Sequence, residues 1–500
     1  MIKSAQDYHT ATSYHRHDMS GHFLDWSNQP QQFKDYPLGP KVILPKAEPP
    51  ADKTLWSIWG QPPLLSGNTS LTVDKLSQLL GLGHTLTSRA GQTHLRSAAS
   101  AGALYPNEIY VGVYHVSGLD EGIYHFDLRH HSLTCLRPGN FKGFVDRASD
   151  IADPAPLVAS LFISGIFYRS AWKYRARAYR YVLLDAGHIL SNFLLATKVM
   201  GYATLWQFAF NDEAFEHLLG INPKKEGIVA CVHLLGQPNV HPETKEIKPL
   251  GTSFTAASQT AAVENTYDEI RQIHTQCKTV IFPKAPLTDM AQRLGCQPPT
   301  WQPIQKIEPF PAYPNYLECV LKRRSRRNFI PEPLSLIQLH QLLNLMGHHW
   351  RHPRQPPVNY RACLTVGLWV NSVETLDPGF YLIDLIKDRI GLVKTKRDQG
   401  KVAAFCLNQD CLKNGAAYIM FMTNMADLDL FFGPRGYRYA MLAAGEIGQT
   451  LYLGATAQGL GCCGIGAIYD EEARRFLGLN IESVLLYLLA VGPVKSLPSV

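Results

Sequence analysis

The most apolar run of the chain, Tyr181 to Met200, is interrupted by Asp185, His188, Asn192 and Lys198. Polar side chains at those places argue against a membrane span and predict a helix buried in protein. A second run has the same character. "RYVLLDAGHILSNFLLATKVMG" (180–201) matches "RYAMLAAGEIGQTLYLGATAQG" (438–459), with Gly187 and Gly201 paired to Gly445 and Gly459 at an offset of 258. Small residues on both runs (Ala186 and Gly187; Ala443, Ala444, Gly445 and Gly448) predict two helices that cross closely. Elsewhere the period changes to that of a strand: in "SAASAGALYPNEIYV" (97–111) the second half alternates, whereas the first half is almost without side chains. Small residues there invite the close approach of another surface.

The self-similarity extends beyond the helices. "LLGIN" (218–222) pairs with "FLGLN" (476–480), "LDEGIYHFD" (119–127) with "LDPGFYLID" (376–384), and "KLSQLLGLGH" (75–84) with "QLHQLLNLMGH" (338–348). Both copies therefore read as helix, strand, strand pair, long buried helix, short helix and final strand. The expected divisions are an extended N-terminal arm (1–50) over the first half, a first half (51–238), a linker (239–313) with a helix near 262–278, and a second half (314–500). Two such halves are expected to pack about a pseudo-twofold axis, like a homodimer whose subunits have been joined.

The copies have kept different parts. "RRSRRNF" (323–329) and "CCGIGAIYD" (462–470) of the second half face "GQPPLLS" (60–66) and "LWQFAFND" (205–212) in the first. Conversely, "ASAGALYP" (99–106) and "WKY" (172–174) of the first half face the stretch around "PPVNYRAC" (356–363) and "LFF" (430–432) in the second. An Arg-Ser turn before a helix offers guanidinium forks and a hydroxyl to a phosphate, and glycines let backbone approach a ligand ring. One site built jointly by the two halves explains this pattern better than two separate sites.

Composition narrows the function classes. The 500 residues carry a net charge of +7, with 46% hydrophobic and 18% charged residues, which suits a soluble globular chain of at least two domains. Basic residues are scattered apart from 321–329, so a nucleic-acid footprint is not expected. Ten cysteines show neither zinc spacing nor a disulfide framework, so a reducing cytoplasm is expected, with no signal peptide and no membrane anchor. His9, His15, His17 and His22 read as part of a polar arm, so no metal is expected. Cys462-Cys463 reads as a buried pair. Arg169, Lys173, Arg175, Arg177 and Arg180 form a basic face for which solvation is the competing explanation.

Repeated halves, RRSxRxF, "SAGALYP", the glycine turn and a late lysine together resemble the nitroreductase-like flavoproteins. "SAGALYP", "WKYRARAYR" and the N-terminal "YHTATSYHRH…LDWSNQPQQFKDYP…ILP" resemble more narrowly the SagB-type dehydrogenases, which include azoline oxidases. The resemblance implies an α+β fold: two halves, each a mainly antiparallel sheet with surrounding helices, forming an intramolecular pseudo-dimer. It implies FMN at the half–half interface, one per chain. Arg323, Ser325, Arg327 and Lys495 would hold its phosphate and ribityl end, and Gly464, Gly466 and Ala467 would lie along the ring. Ser100, Ala101, Ala103 and Leu104 would approach from the other half. Lys173 and Tyr174 match the pair that azoline oxidases use for proton transfer. The implied activity is two-electron transfer between an organic substrate, small molecule or peptide, and the flavin. An NAD(P)H-dependent nitro or quinone reductase, with NAD(P)H as a transient reductant, and a non-catalytic FMN store or scaffold are the alternatives. Because the chain itself is equivalent to a homodimer, a monomer would suffice.

Overall fold

The structure is a computed structural model describing residues 1–19, 23–46, 50, 52–59, 70–151, 156–237, 247–282, 287, 290–307, 314–351, 360–395, 398 and 400–495. The segments 60–66 and 356–359, which entered the comparison of the two copies, lie outside the described residues. Each half builds one seven-stranded sheet in which every neighbouring pair is antiparallel. In the first, the spatial order is Lys41–Ile43, Ser132–Pro138, Gly122–Asp127, Asn107–Val113, Leu157–Ile166, Glu226–Leu235 and Thr204–Gln207. The second repeats it with Gln302–Pro303, Arg389–Thr395, Gly379–Asp384, Thr365–Val370, Ala417–Asn424, Ser483–Gly492 and Gly461–Ile465. The fold class is α+β, as two copies of one unit.

The apolar runs form the helices Ala178–Val199 and Arg435–Ala457, buried along nearly their whole length. They cross where Gly187 meets Gly445. A Cβ on Gly187 would lie 2.3 Å from the Leu442 carbonyl oxygen, and one on Gly445 would lie 2.1 Å from that of Leu184. No side chain fits between the two backbones, so glycine at both positions sets the helix separation. A single apolar cluster then runs across the crossing, joining Leu79, Ile163 and Leu190 of the first half to Leu342, Phe421 and Leu451 of the second.

Buried ion pairs repeat the same symmetry. Asp470 of the second half accepts from Arg177 and Arg180 of the first at 2.6 and 2.8 Å. Asp212 of the first half accepts from Arg435 and Arg438 of the second at 2.5 and 2.6 Å. Arg169 is buried too, paired with Glu108 at 2.5 Å. Solvation, the competing explanation for the basic face at 169–180, does not hold for these three arginines: each is buried because a carboxylate compensates its charge.

The ends of the halves depart from the expected plan. The 1–50 arm is not simply extended over the first half. It opens with the helix Ala5–Ala11, whose first N–H groups donate to Asp429 of the second half, and Arg16 pairs with Glu472. Its edge strand, Lys41–Ile43, then joins the first sheet. The segment read as a linker has the same parts in the same order. Its helix, Asp268–Gln276, seats His274 and Lys278 on Glu216 of the first half, and Gln302–Pro303 joins the second sheet. Arg177 donates to the Thr12 carbonyl at 2.9 Å, and Arg435 donates to that of Cys277 at 2.7 Å. The region is a second copy of the arm. Each arm begins on the opposite half and returns to its own sheet.

Candidate functional site

A cleft opens beside the helix crossing. Both halves line it. The first contributes Ala99 to Gly102, Tyr174, Tyr181, Leu184, Asp185 and His188; the second contributes Ser325, Arg327, Gln409, Tyr452, Gly464 to Ala467 and Tyr487.

The small-residue segment reaches the cleft as a short 3-10 turn, Ala101–Ala103, in which Gly102 takes φ +64°. Glycine adopts that conformation without steric cost. It also leaves room for the neighbouring helix Phe167–Tyr174: a Cβ on Gly102 would lie 2.8 Å from the Tyr174 hydroxyl and 3.3 Å from Lys173 Nζ. The Lys-Tyr pair thus rests against the turn. Burial raises the Tyr174 phenol far above its usual range. Partial desolvation lowers the Lys173 ammonium, and the second-half Arg327 guanidinium lowers it further. Lys173 therefore feels the opposite wall of the cleft.

From the second half, the Ser325 hydroxyl shares a 2.8 Å hydrogen bond with that of Tyr452, which accepts from the Gly464 N–H at 2.6 Å. Arg327 holds an upward-shifted guanidinium beside Cys463 and stays charged. Beneath the cleft, His188 shares hydrogen bonds of 3.1 Å with the Tyr487 hydroxyl and with the Gln449 amide oxygen. Burial pushes His188 down to about 3, so its imidazole is neutral.

Of the residues singled out from sequence, Ser100, Ala101, Tyr174, Ser325, Arg327, Gly464, Gly466 and Ala467 line the cleft. Lys173 abuts its wall through Gly102. Ala103 and Leu104 do not line it, and Leu104 packs on the core. Arg323 is buried and donates to the Ser97 and Arg96 carbonyls at 2.6 and 3.0 Å, clamping the halves together rather than lining the space. Lys495 is exposed; its carbonyl accepts from the Asn328 amide at 3.0 Å, which places it by the turn's outer side. Tyr181, Asp185, His188, Gln409, Tyr452 and Tyr487 were not anticipated. Asp185 and His188 had a signal, being polar interruptions three residues apart in an apolar helix.

A sequence profile described as the Nitroreductase family matches residues 67–237 and again 320–493, together well over half the chain. The chain belongs to the nitroreductase family. It holds two nitroreductase units in tandem, as the repeat predicted. A Methanocaldococcus jannaschii protein bearing the nitroreductase name is 31% identical over 157 residues, which are 31% of this chain and 77% of that protein. The trifolitoxin-processing protein TfxB of Rhizobium leguminosarum bv. trifolii is 29% identical over 182 residues, 34% of this chain. The matched region spans 49% of TfxB. A crystal structure from Anabaena variabilis, also bearing the nitroreductase name, superposes with a TM-score of 0.78 at 25% identity, covering 99% of this chain and 100% of that one. The tandem nitroreductase architecture is thus shared along its whole length.

Proposed function

We propose that this nitroreductase-family chain is an FMN-dependent oxidoreductase with one cofactor, held between its halves. The observation that carries the reading is the asymmetry of the two related clefts. One is open and lined by a guanidinium, hydroxyls and a side-chain-free strand end. At the position related to it by the repeat, Trp206 and Phe208 stand where the second half has Gly464 and Gly466. The Trp206 indole donates to the Tyr360 hydroxyl, and the Phe208 ring lies 4.3 Å from that of Tyr360. Arg361 pairs with Glu446 at 3.1 Å across the remainder. Among the described residues, aromatic rings and an ion pair stand at the second position, which supports a single flavin in the open cleft.

The donor set of the open cleft fits FMN. Arg327 and Ser325 would take the phosphate and ribityl end, with Gly464, Gly466 and Ala467 along the ring and Ser100 and Ala101 opposite. Bound FMN would supply a two-electron acceptor and donor at its N5. The protein would supply proton handling: Lys173, its ammonium lowered by desolvation and by Arg327, gives up a proton more readily than a free lysine, and the buried neutral Tyr174 can donate a hydrogen bond. The walls of Tyr174, Tyr181, Tyr452 and Tyr487 would exclude water and orient an organic substrate.

The trifolitoxin-processing name of TfxB supports the peptide-substrate reading, whereas the nitroreductase names support a nitro compound. The ten cysteines are all free thiols, which supports action in a reducing compartment such as the cytoplasm. Flavin content per chain decides the cofactor reading: one FMN is expected after reconstitution, and none or two overturns it. Arg327→Ala should lose most of the flavin. Anaerobic bleaching of the flavin by NADPH identifies a reductase, and bleaching by an azoline-containing peptide identifies a dehydrogenase. Inertness to both identifies a store.

A further inference from the structure

The first-half crossing helix brings to the cleft a carboxyl that the FMN reading leaves without a task. Asp185 is only 4% exposed and lines the cavity. Its oxygens accept from Ser100 Oγ at 2.5 Å and from the Ala101 N–H at 3.1 Å. Ser100 Oγ in turn accepts from the Tyr105 N–H at 2.9 Å, so the carboxyl and the hydroxyl together tie down both ends of the Ser100–Leu104 turn. Gly102, in the middle of that turn, is the surface against which Tyr174 and Lys173 rest.

We propose that Asp185 is a positioning residue for Lys173 and Tyr174: as a carboxylate it pins the Ser100–Gly102 turn, and the pinned turn seats the phenol and the ammonium at the cleft. The inference rests on the reading of that pair as the proton-handling groups of the site. The repeat supports it independently. At the offset of 258, Asp185 corresponds to Ala443, and Lys173-Tyr174 corresponds to Phe431-Phe432. The carboxyl and the pair it would seat are present together in one copy and absent together in the other.

The seat is protonation-dependent. Burial pushes the Asp185 carboxyl up to about 7, against hydrogen bonds from Ser100 and Ala101 that hold it down. A carboxylate accepts from both partners, whereas the acid keeps one carbonyl oxygen as acceptor and must reverse its bond to Ser100 Oγ, which already accepts from the Tyr105 N–H, so the turn is held differently. The groups facing this wall come from five elements. Its own helix presents Tyr181 and His188, the preceding helix presents Lys173 and Tyr174, the second crossing helix presents Tyr452, whose phenol burial keeps protonated, the final strand presents Tyr487, and the Arg-Ser turn presents Arg327. Burial keeps the Tyr174 and Tyr487 phenols protonated and His188 neutral, and Arg327 stays cationic. Asp185 is thus the carboxyl on this wall that changes charge near neutrality.

The test reads Lys173 directly. Full-length ligand-free protein is labelled with trace acetic anhydride across about pH 5 to about pH 9, and Lys173 acetylation is scored by mass spectrometry against the exposed Lys224. In wild type, the relative rate should show an inflection near Asp185's titration besides the rise from lysine's own deprotonation. Asp185→Asn should lose that inflection. Ser100→Ala and Asp185→Glu, which retain a hydroxyl-free or displaced carboxyl, should shift it, and they decide the matter if Asp185→Asn does not fold. Superimposable profiles in wild type and variants overturn the proposal. FMN binding, measured on portions of the same preparations after reconstitution, separates the two readings: no FMN taken up with the inflection present overturns only the flavin assignment. Bound FMN without the inflection overturns only the role of Asp185.

Discussion

Replacing Gly445 by alanine adds one methyl group at the tightest point of the molecule. That carbon would lie 2.1 Å from the Leu184 carbonyl oxygen and 3.1 Å from Gly187 Cα, where ordinary contact begins at 3.4 Å. The obstacle is backbone on both sides, so no rotamer change relieves it and the helices must part by more than an ångström. Overpacking of this kind costs about 1–3 kcal/mol, and rigid backbone neighbours favour the upper end. Alanine's better helix propensity returns about 1 kcal/mol. The expected net loss is about 2 kcal/mol, larger for valine, and Gly187→Ala should behave alike because it meets the Leu442 carbonyl at 2.3 Å. The two changes strike one contact, so the double variant should lose less than the sum. Gly81→Ala is the control: it sits in a helix with its nearest foreign atom 3.8 Å away and should gain about 1 kcal/mol. Urea unfolding followed by circular dichroism, with flavin affinity measured alongside, checks the set. Gly445→Ala and Gly187→Ala both as stable as wild type would refute the reasoning.

Other expectations follow from the buried charges and the filled cleft. Asp212→Ala leaves Arg435 and Arg438 buried without their carboxylate and should cost about 3–5 kcal/mol in urea unfolding; a loss below about 1 kcal/mol would contradict the pairing. Asp185, with a folded value raised above its unfolded one, keeps its proton in the native state between about pH 4 and about pH 7. Stability should therefore fall as pH rises through that window, by at most about 4 kcal/mol from this group. Asp185→Asn should flatten that slope in pH-dependent melts, and an unchanged slope would exclude Asp185 as its source. Trp206→Gly combined with Phe208→Gly should open space beside Tyr360 without adding a second flavin, because "GQPPLLS", the stretch that corresponds in sequence to the Arg-Ser turn, carries no cation. A doubled flavin content would refute that account.

The repeat made the fold readable because internal comparison substitutes for an alignment: Gly187 and Gly445 stood at one offset, and both lie at the crossing. Ser325, Arg327 and the glycine turn were legible for the same reason, as parts one copy keeps and the other lacks. Arg323 shows the limit. It belongs to the same motif as Arg327, but the chain turns between them, and only the path of the backbone sends one guanidinium to carbonyls and the other to the cleft. Arg177 and Arg180 looked solvated because their partner, Asp470, is 290 or more residues away. The second arm escaped notice because it shares little more with the first than "HT" after an apolar residue, at 9–10 and 274–275. Its kinship lies in what it touches, not in its letters.

Those crossed arms govern how the molecule can come apart. The helix Ala5–Ala11 is anchored on Asp429 of one half while its chain belongs to the other, and Asp268–Gln276 reciprocates on Glu216. The halves are clasped as two hands are, each finger ending on the opposite palm. Withdrawal of either arm uncovers arginines that the other half's aspartate neutralises, which penalises peeling one away first. Opening at the middle is expected to be concerted, with both arms leaving as the glycine crossing parts. A nick in the tether near Leu250 would leave two pieces that hold together, and neither would keep its shape alone.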